Sequence, residues 1–150
     1  MQLRNFLDPA AVKLALDATR RDEALTELVA LLRLDGERSM ELVRALERRE
    51  LAGSTGVGRG VAIPHARSPL VGELRLAYGR SQPGLEFQAL DAKPVHHLFL
   101  IVAPHQERAN LYLPVLGRIA EFVRAPEVPA RLSAMTDPAE LFELLDERGV

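Results

Sequence analysis

His65 is the residue whose surroundings point most directly to chemistry. It closes the run Gly56-Val-Gly-Arg-Gly-Val-Ala-Ile-Pro-His65 and is followed by Ala66 and Arg67. Gly56, Gly58 and Gly60 stand at alternate positions ahead of a short apolar segment, and Pro64 then fixes the backbone just before the histidine. Histidine acts as a nucleophile near neutral pH without a special partner. His65 is expected just past the end of a buried segment, beside flexible backbone that a bulky anion can approach. Arg59 and Arg67 flank it, and either can pair with phosphoryl oxygens. The chemistry this arrangement suits is covalent, with phosphate as the group carried.

The glycines do not form a nucleotide fingerprint. Gly53 and Gly58 have P-loop spacing, but Arg59-Gly60 stands where Lys followed by Ser or Thr is required. Gly56, Gly58 and Gly60 also miss the G-x-G-x-x-G spacing, which sets ATP and NAD aside. Glycines make tight turns and β-bulges routinely, so a purely structural role stays open beside the anion-binding one.

Composition narrows the classes of function. The chain has 150 residues, 47% hydrophobic and 27% charged, which is the profile of one ordinary globular domain. Its formal net charge of −2 provides no basic field for nucleic acid. Cysteine is absent, so disulfides, thiol catalysis and thiolate metal sites are excluded. No apolar run approaches the roughly 20 residues needed to cross a bilayer, and the N-terminus lacks a signal-peptide stretch. A cytoplasmic protein that is not membrane-embedded is expected, with no metal and no cofactor.

The elements that must position His65 follow from periodicity. Val12–Leu16 alternates weakly as a short strand. Arg20–Leu34 has helical spacing, with Thr19 as N-cap and Asp35-Gly36 as its end. Ser39 is placed to cap a second helix whose Leu42, Val43 and Leu46 face the core and whose Glu47–Glu50 is solvated. Val61–Ile63 reads as a strand ended by Pro64. Leu74–Tyr78 is a half-buried strand followed by a turn at Gln82-Pro-Gly84. Val95–Ala103 is a central strand, apolar on both faces at its end. Ala109–Val123 is helical with Pro114 in its first turns or interrupting it, and Pro126 and Pro129 break the chain. Asp137-Pro138 starts a last helix. The fold class is α/β: a single domain with a small mixed β-sheet flanked by helices on both sides.

The segment Arg49-Glu50-Leu-Ala-Gly-Ser54-Thr-Gly-Val-Gly58-Arg-Gly60-Val-Ala-Ile-Pro-His65 resembles the active-site signature of the fructose/mannitol-type enzyme IIA domains of the bacterial phosphotransferase system. The Gly53–Gly58 part is most similar to the nitrogen-regulatory branch. The likeness extends to Phe87–Asp91, Pro94-Val95, the Phe99–Ala103 strand and the helices after it. The resemblance implies that His65 takes a phosphoryl group from an upstream phosphohistidine carrier protein. The group then passes to a IIB component in the sugar branch. In the nitrogen branch the phosphorylation state controls binding to regulatory target proteins. Arg49 matches a family arginine near the active histidine, and Ser54, Gly58, Gly60, Arg59 and Arg67 are the supporting residues, with backbone N–H groups near the glycines available to phosphoryl oxygens.

One position departs from the family pattern. Many members carry a second histidine after the central strand, and here that position is Asn110. Asparagine donates a hydrogen bond but cannot become a cation, so acceptance of phosphate is better supported than onward transfer. His105 is an alternative helper. Adjacent His96 and His97 point to opposite faces of a strand, one partly buried and one exposed, and cannot share a metal. A hydrolase using His65 as general base lacks any accompanying Ser-His-Asp motif. Either ring nitrogen of His65 is open as the attacking atom at this point.

Overall fold

The computed structural model describes residues 1–150, and its centre is β6, Val95–Ala103, at the bounds expected. Every β6 residue except His96 is buried. Successive side chains point to opposite faces, so both faces of this strand are covered. β5, Arg75–Leu85, runs antiparallel along one side. Along the other side β3, Val61–Ala62, and β4, His65–Arg67, lie parallel to β6 one after the other. β1, Leu7–Lys13, forms one edge beside β5, and β2, Gly56–Gly58, forms the other beside β3. The order β1-β5-β6-β3-β2 mixes parallel and antiparallel pairs, as expected for the fold class.

Helices close both faces. Gly79 pairs with Leu98, and a Cβ there would lie 2.9 Å from side-chain atoms of Leu16 and Leu28. The Leu98 face is therefore covered by α1, Arg21–Ala30, which packs on α2, Gly36–Leu51. On the opposite face Phe99 meets Phe122 of α3, Tyr112–Arg124, edge-on with centroids 6.2 Å apart. His97 reaches Ser133 of α4, Glu127–Ala134. A last helix, α5, Ala139–Glu147, packs against the N-terminal turn Leu3–Phe6.

Several boundaries differ from the sequence reading, each for a local reason. The first strand begins at Leu7, not Val12, and contains Pro9, which an edge strand tolerates because only one side needs donors. Thr19 is not the cap of α1; Arg20 is, without a side-chain bond, while the Thr19 backbone and hydroxyl both donate to Glu23. Asp35 does not merely end α1: it caps α2, accepting from Arg38 N–H at 2.9 Å. Ser39 sits inside α2 with its hydroxyl on the Leu34 carbonyl. Gln82-Pro-Gly84 is no turn but a register break within β5, with Gly84 at φ +87°. Pro126 and Pro129 do not break the chain; they occupy the cap and first turn of α4, where no backbone donor is needed.

Arg80 ties three layers together. Its Nε donates to the Leu14 carbonyl at 3.0 Å. Its Nη1 donates to the Leu132 and Met135 carbonyls at 2.8 Å and to Ser133 at 3.2 Å. These last are the orphan carbonyls of the α4 C-terminus, where a cation is also favoured by the helix dipole. Arg80→Met keeps the stem and strips the donors. It is expected to lower unfolding stability by about 2 kcal/mol, read from the urea midpoint at unchanged slope. A midpoint like wild type would show that water replaces the guanidinium without cost.

Candidate functional site

His65 opens β4, pairing with Ile101, and its side chain is half-buried on the face that carries α3. Pro64 does not terminate the strand line. Together with Ile63 it interrupts that line for two residues, between β3 and β4, while its carbonyl accepts from Ile101 N–H at 3.0 Å. The interruption has a chemical result. The Ile63 carbonyl lies 2.7 Å from His65 Nδ1. A carbonyl only accepts, so Nδ1 carries a proton, and in the neutral ring Nε2 keeps its lone pair. Nε2 is therefore the ring nitrogen with a lone pair to offer.

A tyrosine packs against this ring, and two arginines act on the tyrosine. Tyr112, at the start of α3, is buried and tilted against His65 with centroids 6.1 Å apart. The guanidinium of Arg67 stacks over the Tyr112 ring at 4.6 Å and donates to the His105 carbonyl at 3.4 Å. Burial raises the Tyr112 hydroxyl above its ordinary pKa, and the charges of Arg67 and Arg49 pull it back down. Both cations therefore act at this hydroxyl. Arg49, in the last turn of α2, spends one Nη on the Gly53 carbonyl at 2.7 Å. Its remaining donors are available to an oxyanion.

Other expected members of the site lie elsewhere. Gly58 and Gly60 form the β2–β3 hairpin, where Gly58, Arg59 and Gly60 have φ of +95°, +57° and +76°. The Gly60 carbonyl accepts from His96 and His97, at the start of β6. His65 sits four residues further along β6, roughly 13 Å away at strand rise. The hairpin needs these glycines for its turn, and they are not the backbone donors for a phosphate on His65. Arg59 points away as well: its backbone donates to Asp91 at 3.0 Å and its guanidinium to the Arg124 carbonyl. Ser54 pins the loop, donating to the Phe87 carbonyl at 2.6 Å and accepting from Gly56 N–H at 3.0 Å.

Asn110 is exposed, two residues before Tyr112. Its φ of +51° is a left-handed conformation that asparagine tolerates. This excludes it from α3, which starts at Tyr112 and not at Ala109. Glu107 accepts from Leu111 and Tyr112 N–H there. His105 is exposed and meets Arg67 through its carbonyl. His97 is buried against Tyr78 and Ser133, whereas His96 is half-buried, not exposed, with Nδ1 donating to the Ser81 carbonyl at 2.9 Å. Sequence reasoning missed two residues. Tyr112 was not singled out within Ala109–Val123, and Glu50, expected to be solvated, is 3% exposed.

Residues 5–148 match the family model described as phosphoenolpyruvate-dependent sugar phosphotransferase system, EIIA 2. A nitrogen regulatory protein from Bradyrhizobium diazoefficiens is 32% identical over 97% of this chain and 95% of its own length. A fructose-specific EIIA component from Haloferax volcanii is 38% identical over 88% of this chain and 81% of its own. Among solved structures, nitrogen regulatory protein IIA-Ntr from Neisseria meningitidis superposes with a TM-score of 0.85 at 27% identity, covering 94% of this chain and 97% of that one.

Proposed function

Since the chain belongs to the EIIA 2 family of the phosphoenolpyruvate-dependent sugar phosphotransferase system, we propose that its phosphoryl-carrier role is performed by Nε2 of His65. The observation that carries this reading is the 2.7 Å bond from Nδ1–H to the Ile63 carbonyl, which leaves Nε2 unprotonated. The donor is a phosphohistidine carrier protein. As the Nε2–P bond forms, the N–P bond of the donor breaks and its imidazole leaves with the electron pair. The His65 ring becomes cationic, and the Ile63 carbonyl stabilises the Nδ1–H it already holds. Arg49 and Arg67 offset charge on the phosphoryl oxygens, which is most of what phosphoryl transfer asks of a protein. With the glycine hairpin remote, the phosphate is not enclosed by a backbone nest, so it stays transferable.

Incubation with phosphorylated carrier protein is expected to add one acid-labile phosphate per chain, linked at Nε2 in the imidazole NMR spectrum. Linkage at Nδ1 would overturn the assignment of the attacking atom. Absence of any phosphate would overturn the carrier role itself.

The use of that phosphate is read as nitrogen-type regulation in the cytoplasm. Relatives of nearly equal length carry the nitrogen regulatory name, and no helix is long and apolar enough to cross a membrane. Asn110 favours this use, because control by occupancy requires acceptance of phosphate but not rapid delivery. The sugar-uptake reading, with a IIB component as acceptor, is supported by the fructose-specific relative. Rapid discharge to a IIB component would favour uptake. Partners captured differently by wild type and His65→Asp would favour regulation.

A further inference from the structure

We propose that Glu50 is a positioning residue for His65, acting through Thr55 and Ile63. This rests on His65 being the phosphorylated residue. Glu50 lies in the last turn of α2, next to Arg49. Its Oε2 accepts from Thr55 N–H at 3.0 Å, and its Oε1 accepts from the Thr55 hydroxyl. The Thr55 carbonyl accepts from Ile63 N–H at 3.0 Å. The Ile63 carbonyl then accepts from His65 Nδ1–H at 2.7 Å. Glu50, Thr55 and Ile63 are 3%, 5% and 2% exposed, so water does not compete for these bonds.

Stability alone does not account for a carboxylate here. It is buried, and it occupies the end of α2 where the helix dipole disfavours negative charge. An apolar side chain of similar volume would fill the space without that cost. What the carboxylate supplies is geometry. Successive bonds use different peptide groups, and the Ile63-Pro64 amide has no N–H to pass polarisation onward. Position is therefore transmitted, not charge. The same helix end that presents Arg49 to the site also sets the acceptor for Nδ1, so the cation and the nucleophile are held in one register.

The consequence is a control on tautomer. Free imidazole in histidine favours the Nε2–H form, in which Nε2 has no lone pair with which to attack phosphorus. Only a well-placed Ile63 carbonyl keeps the proton on Nδ1. For histidines that ligate metals, loss of the partner that orients the other ring nitrogen reduces affinity or activity by about 10–100-fold, which sets the scale for this site.

The test reads the His65 tautomer from imidazole nitrogen shifts in the unphosphorylated protein, then the rate of phosphorylation by phosphorylated carrier protein. Wild type is expected to show Nδ1–H. Glu50→Gln still accepts from Thr55 N–H and donates to the Thr55 hydroxyl, so it is expected to keep the wild-type tautomer. Glu50→Ala is expected to shift toward Nε2–H and to slow phosphorylation about tenfold or more. A folded Glu50→Ala protein with the wild-type tautomer overturns the proposal. If that variant does not fold, Glu50→Asp is read instead, since its carboxylate falls one methylene short of Thr55; an unshifted tautomer there overturns it equally. Tautomer shifts as described in a protein that takes no phosphate would overturn the carrier reading and leave the positioning role standing.

Discussion

His65→Ala is expected to take up no phosphate from phosphorylated carrier protein, while folding like the wild type. The second half of that expectation makes the first informative. His65 is half-buried, and its one side-chain hydrogen bond is to the Ile63 carbonyl. Removing it costs about 1 kcal/mol for the lost bond, and an opened site lets water reach the freed acceptor. Loss of labelling is therefore loss of the nucleophile and not of the fold. No neighbour can replace it. Asn110 has no nucleophilic nitrogen at neutral pH, and His105 lies exposed with only its backbone engaged by Arg67. Arg49→Met provides the contrast: it removes charge stabilisation but not the acceptor atom. Its label should reach one phosphate per chain at a rate lower by about 10²-fold, the scale of losing one donor to developing charge. Labelling of His65→Ala at wild-type stoichiometry would place the phosphate on another residue.

The legibility of this site divides along physical lines. β6 was readable from Val95 to Ala103 because eight of its nine residues are buried, and burial on both faces writes the continuous apolar run Leu98–Ala103 at its end. The family was readable because the signature around His65 is contiguous. The glycine hairpin was misplaced relative to that histidine for a related reason. Proximity in sequence suggested proximity in space, but a parallel strand carries Gly60 and His65 four residues apart along β6. The tautomer was not readable, since it depends on where the Ile63 carbonyl turns when Pro64 interrupts the strand. Glu50 was not readable either. Helical spacing placed it among solvated charges, and only the loop returning beneath α2 buries it with Thr55. Tyr112 is a third case, since its contact with His65 follows from where the loop after β6 delivers α3, which is set by the left-handed Asn110 and the Glu107 bonds. In each case a tertiary hydrogen bond or a single dihedral overrides what local pattern implies.

The largest stability effect is expected from a histidine outside the site. His97 is 2% exposed, with Nδ1 2.8 Å from the Tyr78 hydroxyl and Nε2 3.1 Å from the Ser133 hydroxyl. Its ring thereby joins β5 and β6 to α4. Burial, then the neighbouring charges of His96 and Arg80, push its pKa from 6.5 down to about 4. Above pH 6.5 the ring is neutral in both folded and unfolded chains and stability does not depend on it. Between 6.5 and about 4 the unfolded chain binds the proton and the folded one does not, so stability falls as pH falls. At 1.36 kcal/mol per pH unit, that gap amounts to about 3 kcal/mol. Most of the loss comes before the surface carboxylates respond. Glu23, Glu127, Glu140 and Glu147 are all held below their ordinary 4.5 by hydrogen bonds and by nearby arginines. Urea unfolding across pH 7 to 4.5 is therefore expected to show a loss of 2–3 kcal/mol that belongs to one residue. His97→Gln retains an acceptor and donors for the two hydroxyls and has no proton to gain. Its curve should be nearly flat over the same range, even if it starts lower. Parallel curves for the two proteins would assign the acid sensitivity to other groups and show that the sheet accommodates a charged His97.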